Sequence, residues 1–310
     1  MGDTRHSILS LLALAHAESL PALSFTDICA LLPVSSAKTA APEEITSVLA
    51  RLEKEWVVAA RDGWYALMKP PDTDEIRRRA DISRQKIARN RFFFLLMQAV
   101  PFVEAAAITG SVSMENANEK SDIDILCIVK KGRMWTARIL LLFLAELFGK
   151  RRDHKRYSDK ACFNCFASKD ASFPFHNIAA AHMLARALPL FGSKPLETFF
   201  TTNAWTQEYV SRPTRTPLIP ASRALRAVSA STVWLLSGSV GNALERALAR
   251  WQIDRLRRKV KQGSDASGLV LRDDIVTLYY PDIKNKAVMA LYTDTINTLD
   301  YEMSDSRRAE

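Results

Sequence analysis

The 310-residue chain is 48% hydrophobic and 25% charged, values ordinary for a soluble globular protein, and its length suits two or three domains. Its 43 Lys and Arg against 34 Asp and Glu leave a net charge of +9, an excess that suits a polyanionic ligand such as a nucleotide or nucleic acid. Four cysteines (Cys29, Cys127, Cys162 and Cys165) are too few and too scattered for a disulfide framework.

Residues 1–70 read as three helices followed by a hairpin. His6 to Ala15 has apolar residues at helical spacing, and Phe25 to Leu32 is a short second helix with Thr26 and Asp27 near its start. Pro42 suits a first helical turn, and Ile45, Val48, Leu49 and Leu52 mark one face of a third helix. Trp56 to Ala60 and Trp64 to Met68 are β-prone runs joined by Arg61-Asp62-Gly63, where Asp-Gly signals a tight turn. This order resembles a winged helix, whose third helix often enters a DNA major groove. Here that helix carries Glu43, Glu44, Glu53 and Glu55 against Arg51 and Lys54, so a packing or partner-binding wing is expected rather than a DNA reader.

Pro70-Pro71 breaks the chain, and residues 71–100 form a basic linker helix, acidic at its start and then rich in Arg. Residues 101–170 read as a small α/β core with strands over Glu104 to Thr109, Ile123 to Val129 and Ala161 to Ala167, and a helix over Met134 to Phe148. A basic loop with Lys150, Arg151, Arg152, His154, Lys155 and Arg156 precedes the last strand; it either reaches a phosphate ligand or is merely solvated. Within that strand Cys162 and Cys165 form a C-x-x-C, but positions i and i+3 of a strand face opposite ways, and no second Cys or His pair completes a metal site. Residues 171–310 read as mainly helical: Ile178 to Leu188, Pro195 to Val210, Ala221 to about Lys261 and Lys284 to Leu299, with a flexible Gly263 to Gly268 loop. His176 and His182, six apart, miss the spacing of a helical metal pair, and Trp205, Trp234 and Trp251 are expected in a core.

His6 to Leu14 is too short for a secretory leader, and Ile139 to Phe148 is too short for a membrane span. Val228 to Leu244 is the better membrane candidate, but its six Ser, Thr and Asn residues make it a buried bundle helix by expectation. The cytoplasm is the expected compartment.

The chemistry concentrates in Thr109-Gly110-Ser111, followed after ten residues by Asp122-Ile123-Asp124. A Gly-Ser pair at a strand end lets backbone amides and a hydroxyl approach a phosphate closely, and a helix beginning near Ser113 would add its positive end. Asp122 and Asp124, two apart on a strand, project from one face, and such a pair repels unless a cation lies between them. Hard Mg²⁺ with oxygen ligands suits that role, with Mn²⁺ as an alternative ion.

These residues resemble the nucleotidyltransferases of the DNA polymerase β superfamily, in which a strand ending in Gly-Ser, a loop of about ten residues and an Asp-x-Asp strand form the signature. Gly110, Ser111, Asp122 and Asp124 match it in type, order and spacing, and Ser121 matches a frequent neighbour. The resemblance covers about Glu104 to Ala167. It implies an α+β fold: a small mixed-sheet nucleotidyltransferase core, with the winged-helix-like module before it and the helical region after it. It also implies a Mg²⁺-dependent enzyme that moves a nucleoside monophosphate from an NTP to an acceptor hydroxyl and releases pyrophosphate. Asp122 and Asp124 would hold metal, and Gly110 and Ser111 would cradle the β- and γ-phosphates. A third carboxylate is usual on a later strand, but Asn164 stands at the matching position, and an amide cannot act as a base near neutral pH. Asp159 or Glu104 could substitute for it. Small molecules, RNA ends and protein hydroxyls are all open as acceptors. A nucleotide-binding regulator of the same fold and a nucleic-acid-binding protein are the rival readings.

Overall fold

The computed structural model describes residues 2–33, 40–152, 157–261, 268–278 and 283–306. It is a mixed α+β structure built on two sheets. The N-terminal part runs α1 (Gly2–Ala17), β1 (Leu23–Ser24), α2 (Phe25–Leu31), α3 (Pro42–Lys54), β2 (Val58–Arg61) and β3 (Trp64–Leu67), with the strands ordered β1-β3-β2, all antiparallel. Asp62 and Gly63 both take positive φ, as a tight hairpin turn requires, and Pro42 opens α3. Ile45, Val48, Leu49 and Leu52 are the buried face of α3, leaving its glutamates outside. Ser24 caps α2 with a reciprocal bond to Asp27.

A long helix, α4 (Thr73–Leu96), leads from this part into the second sheet. Its strands follow as β4 (Val103–Thr109), β5 (Ile123–Val129) and β6 (Ala161–Ala167), then β7 (Leu188–Phe191), β8 (Leu269–Leu271) and β9 (Ile275–Leu278). They lie in the order β7-β4-β5-β6-β9-β8, with the β5–β6 pair parallel and the others antiparallel. One turn of helix, α5 (Gly110–Ser113), opens the β4–β5 connection, and α6 (Met134–Leu147) makes the crossover that a parallel β5–β6 pair needs. The remaining helices are α7 (Ile178–Ala185), α8 (Ser193–Thr202), α9 (Arg223–Leu235), α10 (Gly238–Lys261) and α11 (Ile283–Ser306).

Both faces of this sheet are covered, which explains why β5 is apolar on both sides after Asp124. Ile123, Ile125, Cys127 and Val129 join Phe93 and Phe94 of α4 and Leu141 of α6 in one core, whereas Leu126 and Ile128 join Leu184 of α7 and Phe199 of α8 in another. In the N-terminal core, Leu299 of α11 packs with residues of α1 to α3, so the chain's last helix closes on its first.

Three expectations for residues 171–310 change. Leu188, read as the end of a helix, begins the edge strand β7; Pro189, which lacks an N–H, is tolerated there. Residues 269–278, given no element of their own within the mainly helical region, form the β8–β9 hairpin. The expected buried helix at Val228 to Leu244 is instead the exposed helix α9, none of whose residues is buried, followed by a break before α10. Trp234 is accordingly 82% exposed, and Trp251 is exposed as well, so neither fills a core; Trp205 is partly buried and stacks on His176. Among the described residues, no helix is long and apolar enough to cross a membrane.

Candidate active site

The predicted residues meet at one end of the six-stranded sheet. Because β4 and β5 are antiparallel, the end of one lies beside the start of the other, and Thr109 pairs directly with Asp124. Gly110 follows with φ +68°, a conformation that disfavours side chains. The left-handed turn favours glycine, and a Cβ there would sit 2.5 Å from Asp124 Oδ2, so a side chain at this position would displace the carboxylate. The expected helix beginning near Ser113 is instead the single turn α5, which ends at Ser113; with so few aligned peptides it contributes little macrodipole.

The connection from α5 to Asp122 is tied to α4. Lys86, buried to 2% exposure, donates from Nζ to the carbonyls of Glu119 and Ser121 at 3.1 and 3.0 Å and to Asp159 Oδ1 at 2.8 Å. Arg79 donates to Asn116 Oδ1 and to the Ser19 carbonyl, and Ser83 Oγ accepts from the Ala117 amide. Much of the basic stretch on α4 therefore holds this loop or pairs with acids: Arg78 with Glu75 and Glu119, Arg84 with Asp81, and Arg89 with Asp159.

Strand β6 departs from regular alternation. Asp124 pairs with Cys162 but Leu126 with Cys165, so β6 carries one extra residue against β5. Phe163 and Phe166 enter one core and Cys165 and Ala167 the other, and the bulge turns Asn164 and Cys165 to the same side. This overturns the expectation that Cys162 and Cys165 face opposite ways. Ordinary alternation puts Cys162 and Asn164, two apart, on the face of Asp122 and Asp124. Asn164 donates from Nδ2 to Asp124 Oδ1 at 2.7 Å. Arg152 pairs through Nε with Asp122 Oδ2 at 2.8 Å and donates from Nη1 to Cys162 Sγ at 3.4 Å. Arg151 pairs with Glu146, while His154, Lys155 and Arg156 lie outside the described residues.

Two offered substitutes for a third carboxylate are elsewhere. Asp159 is held by Lys86 and Arg89 on the α4 side. Glu104 lies at the start of β4, five residues from Thr109, or about 17 Å along a strand. His182 pairs with Glu18 at 2.7 Å and joins α7 to the N-terminal part.

Sequence reasoning missed Cys162 as a member of the site, because its place opposite Asp124 is set by the parallel register of β6 on β5, which no local signal gives. Asp122, Asp124 and Cys162 offer ligand atoms within 4.8 Å of one another, a metal-capable group among the described residues. Burial pushes the Cys162 thiol well above its usual range, and the carboxylates of Asp124 and Asp122 add to the effect. The thiol is therefore neutral near pH 7, which leaves ionised oxygens as the stronger donors. Among the described residues, Thr109 Oγ1 and Asn164 Oδ1 are buried without a hydrogen-bond partner, adding oxygens to this end of the sheet. Such an oxygen-rich set fits a hard divalent cation better than a soft one. Comparison with family models, with curated proteins and with solved structures gave no match to this chain.

Proposed function

We propose that the chain is a Mg²⁺-dependent nucleotidyltransferase that moves a nucleoside monophosphate from an NTP to an acceptor hydroxyl, with the DNA polymerase β superfamily as its model. The observation that carries this reading is the grouping of Asp122 with Asp124, whose carboxylate lies over Gly110 at the strand end. A Gly-Ser strand end, an antiparallel Asp-x-Asp strand and a parallel third strand bearing Asn164 support the same reading.

In this mechanism Asp122 and Asp124 would hold the divalent ion, and Gly110 and Ser111 would receive the β- and γ-phosphates at the strand end. The bound ion would neutralise charge on the triphosphate and on the attacking oxygen. Arg152, paired with Asp122, brings to the site a guanidinium that suits a triphosphate. Asn164 orients Asp124. The acceptor hydroxyl gives its proton to solvent water as its oxygen attacks the α-phosphorus in line, the bond to the bridging oxygen breaks, and pyrophosphate leaves. Positioning and charge neutralisation supply most of the rate. The order α1-β1-α2-α3-β2-β3 supports a winged-helix-like module, and the exposed glutamates of α3 favour a protein partner over DNA.

A specific observation favours a second reading. Asn164 bonds Asp124 where a third carboxylate would take the acceptor's proton, as suits a nucleotide-binding regulator. Incubation with labelled NTPs and Mg²⁺ separates the two. Pyrophosphate release that Asp122→Ala and Asp124→Ala abolish supports the enzyme, and metal-dependent NTP binding without turnover supports the regulator. Nucleic-acid binding with a steep salt dependence and no metal requirement would displace both.

A further inference from the structure

At the opposite end of the six-stranded sheet a cleft of about 550 Å³ opens between the start of β4, the end of β5, α8 and α9. Four cations line it, and each comes from a different element: Lys130 after β5, Lys169 after β6, Lys194 in the first turn of α8 and Arg226 on α9. Glu104 is the single carboxylate among the lining residues. None of the four cations makes an ion pair among the described residues, in contrast to Arg78, Arg79, Arg84 and Arg89 of α4, which all do. Four like charges facing one cleft give it a positive field that favours an anion there.

The walls add two features. Phe102, Phe191 and Val233 give the cleft an apolar side. The first turn of α8 has no side-chain cap: Gly192, at φ +80°, precedes it and passes so close to Ala105 that a Cβ has no room. The positive end of α8 adds to the field of Lys194.

We propose that this cleft is a second ligand site, separate from Asp122 and Asp124, which binds a phosphate monoester whose organic part rests on the apolar wall. A multiply charged oxyanion satisfies several cations at once, and the volume admits a substituent beyond the phosphate itself. Two sources share this chemistry: a soluble phosphorylated small molecule and the headgroup of an anionic phospholipid. The lipid source has a structural correlate, because α9 continues from Val233 into exposed Trp234 and Leu235, and Val240 beyond the break is also exposed.

The test uses the full chain with two probes: phenyl phosphate in solution, and phosphatidylcholine vesicles doped with phosphatidic acid. A Lys194→Gln/Arg226→Gln double variant removes two cleft cations. An Arg257→Gln/Arg258→Gln variant removes the same charge from exposed positions of α10 that line no part of the cleft. All four positions are exposed, and thermal melting checks that the variants remain folded. Saturable phenyl phosphate binding, competed by inorganic phosphate and weakened by about tenfold or more in the cleft variant, supports the soluble source. Vesicle binding with a blue shift of tryptophan emission, lost in the cleft variant and in Trp234→Ser, supports the lipid source. In either case the α10 variant binds as the wild type does. Binding of neither probe, or equal weakening by both double variants, overturns the proposal. Binding in Asp122→Ala is expected to be unchanged, so this site and the nucleotide site stand or fall separately.

Discussion

Asn164 Nδ2 lies 2.7 Å from Asp124 Oδ1, and this amide-to-carboxylate bond holds the acid that Gly110 must make room for. A carboxylate at position 164 would repel Asp124 unless a cation lay between them. Asp124 is thus steadied by an amide and Asp122 by Arg152.

Asn164→Asp should make folding depend on metal. Its melting temperature should fall below that of the wild type in chelator and recover with Mg²⁺ or Mn²⁺. If the missing group is a proton acceptor, pyrophosphate release should also rise, on the order of 10²-fold. An unchanged rate in a folded, metal-bound variant would sink the idea that position 164 limits turnover.

Gly110→Ala should cost about 1–2 kcal/mol of stability, from the left-handed backbone and the clash with Asp124. Its larger effect should be on the site, since Asp124 must move away from Asp122. Mn²⁺ binding followed by electron paramagnetic resonance should weaken much more than the melting temperature falls. Equal Mn²⁺ affinity in the two proteins would show that Asp124 is not a ligand.

Lys86→Met removes one donor from three acceptors. Asp159 is partly exposed and can rehydrate, so the cost should lie near 2 kcal/mol, below that of a fully buried pair. Urea unfolding measures it. The double variant Lys86→Met/Asp159→Asn should lose less than the two single losses added together, because the stranded charge is gone.

Cys162→Ser should retain divalent-ion binding within a few-fold, as expected where carboxylates and not a thiolate hold the ion. The raised thiol should also react slowly with iodoacetamide at neutral pH. Loss of Mg²⁺ binding in Cys162→Ser would assign the sulfur a ligand role.

Hydrogen bonds from Arg78 and then Arg79 lower the Glu75 carboxyl from 4.5 to about 2. For a depressed acid the stabilisation is complete above the unfolded value and is lost as pH falls from about 4.5 towards about 2. The group is close to solvent, so the contribution should stay below about 1 kcal/mol. Glu75→Gln should flatten that part of the stability curve in acid-titrated melting experiments. An unaltered acid limb would mean that the pair is screened out in solution.

Local sequence carried much of this protein's form. The apolar face of α3, the Asp62-Gly63 turn and the long α4 follow from side-chain period and backbone preference, which act within a few residues. The Gly-Ser and Asp-x-Asp pairs were legible for the same reason, since a strand's alternation alone puts Asp122 and Asp124 on one face. Tertiary structure decided the rest. Pairing with β4 made a strand of Leu188 to Phe191, and packing against β6 drew in Ile275 to Leu278, neither of which has a local signal strong enough to compete with a helical context. The bulge in β6 turned Asn164 and Cys165 to one side, Cys162 joined the carboxylates, and Lys86 of α4 closed on a loop more than thirty residues away. Those contacts arise from strand register and long-range burial, which depend on the partner strand and the opposing helix and so are not written in any one segment.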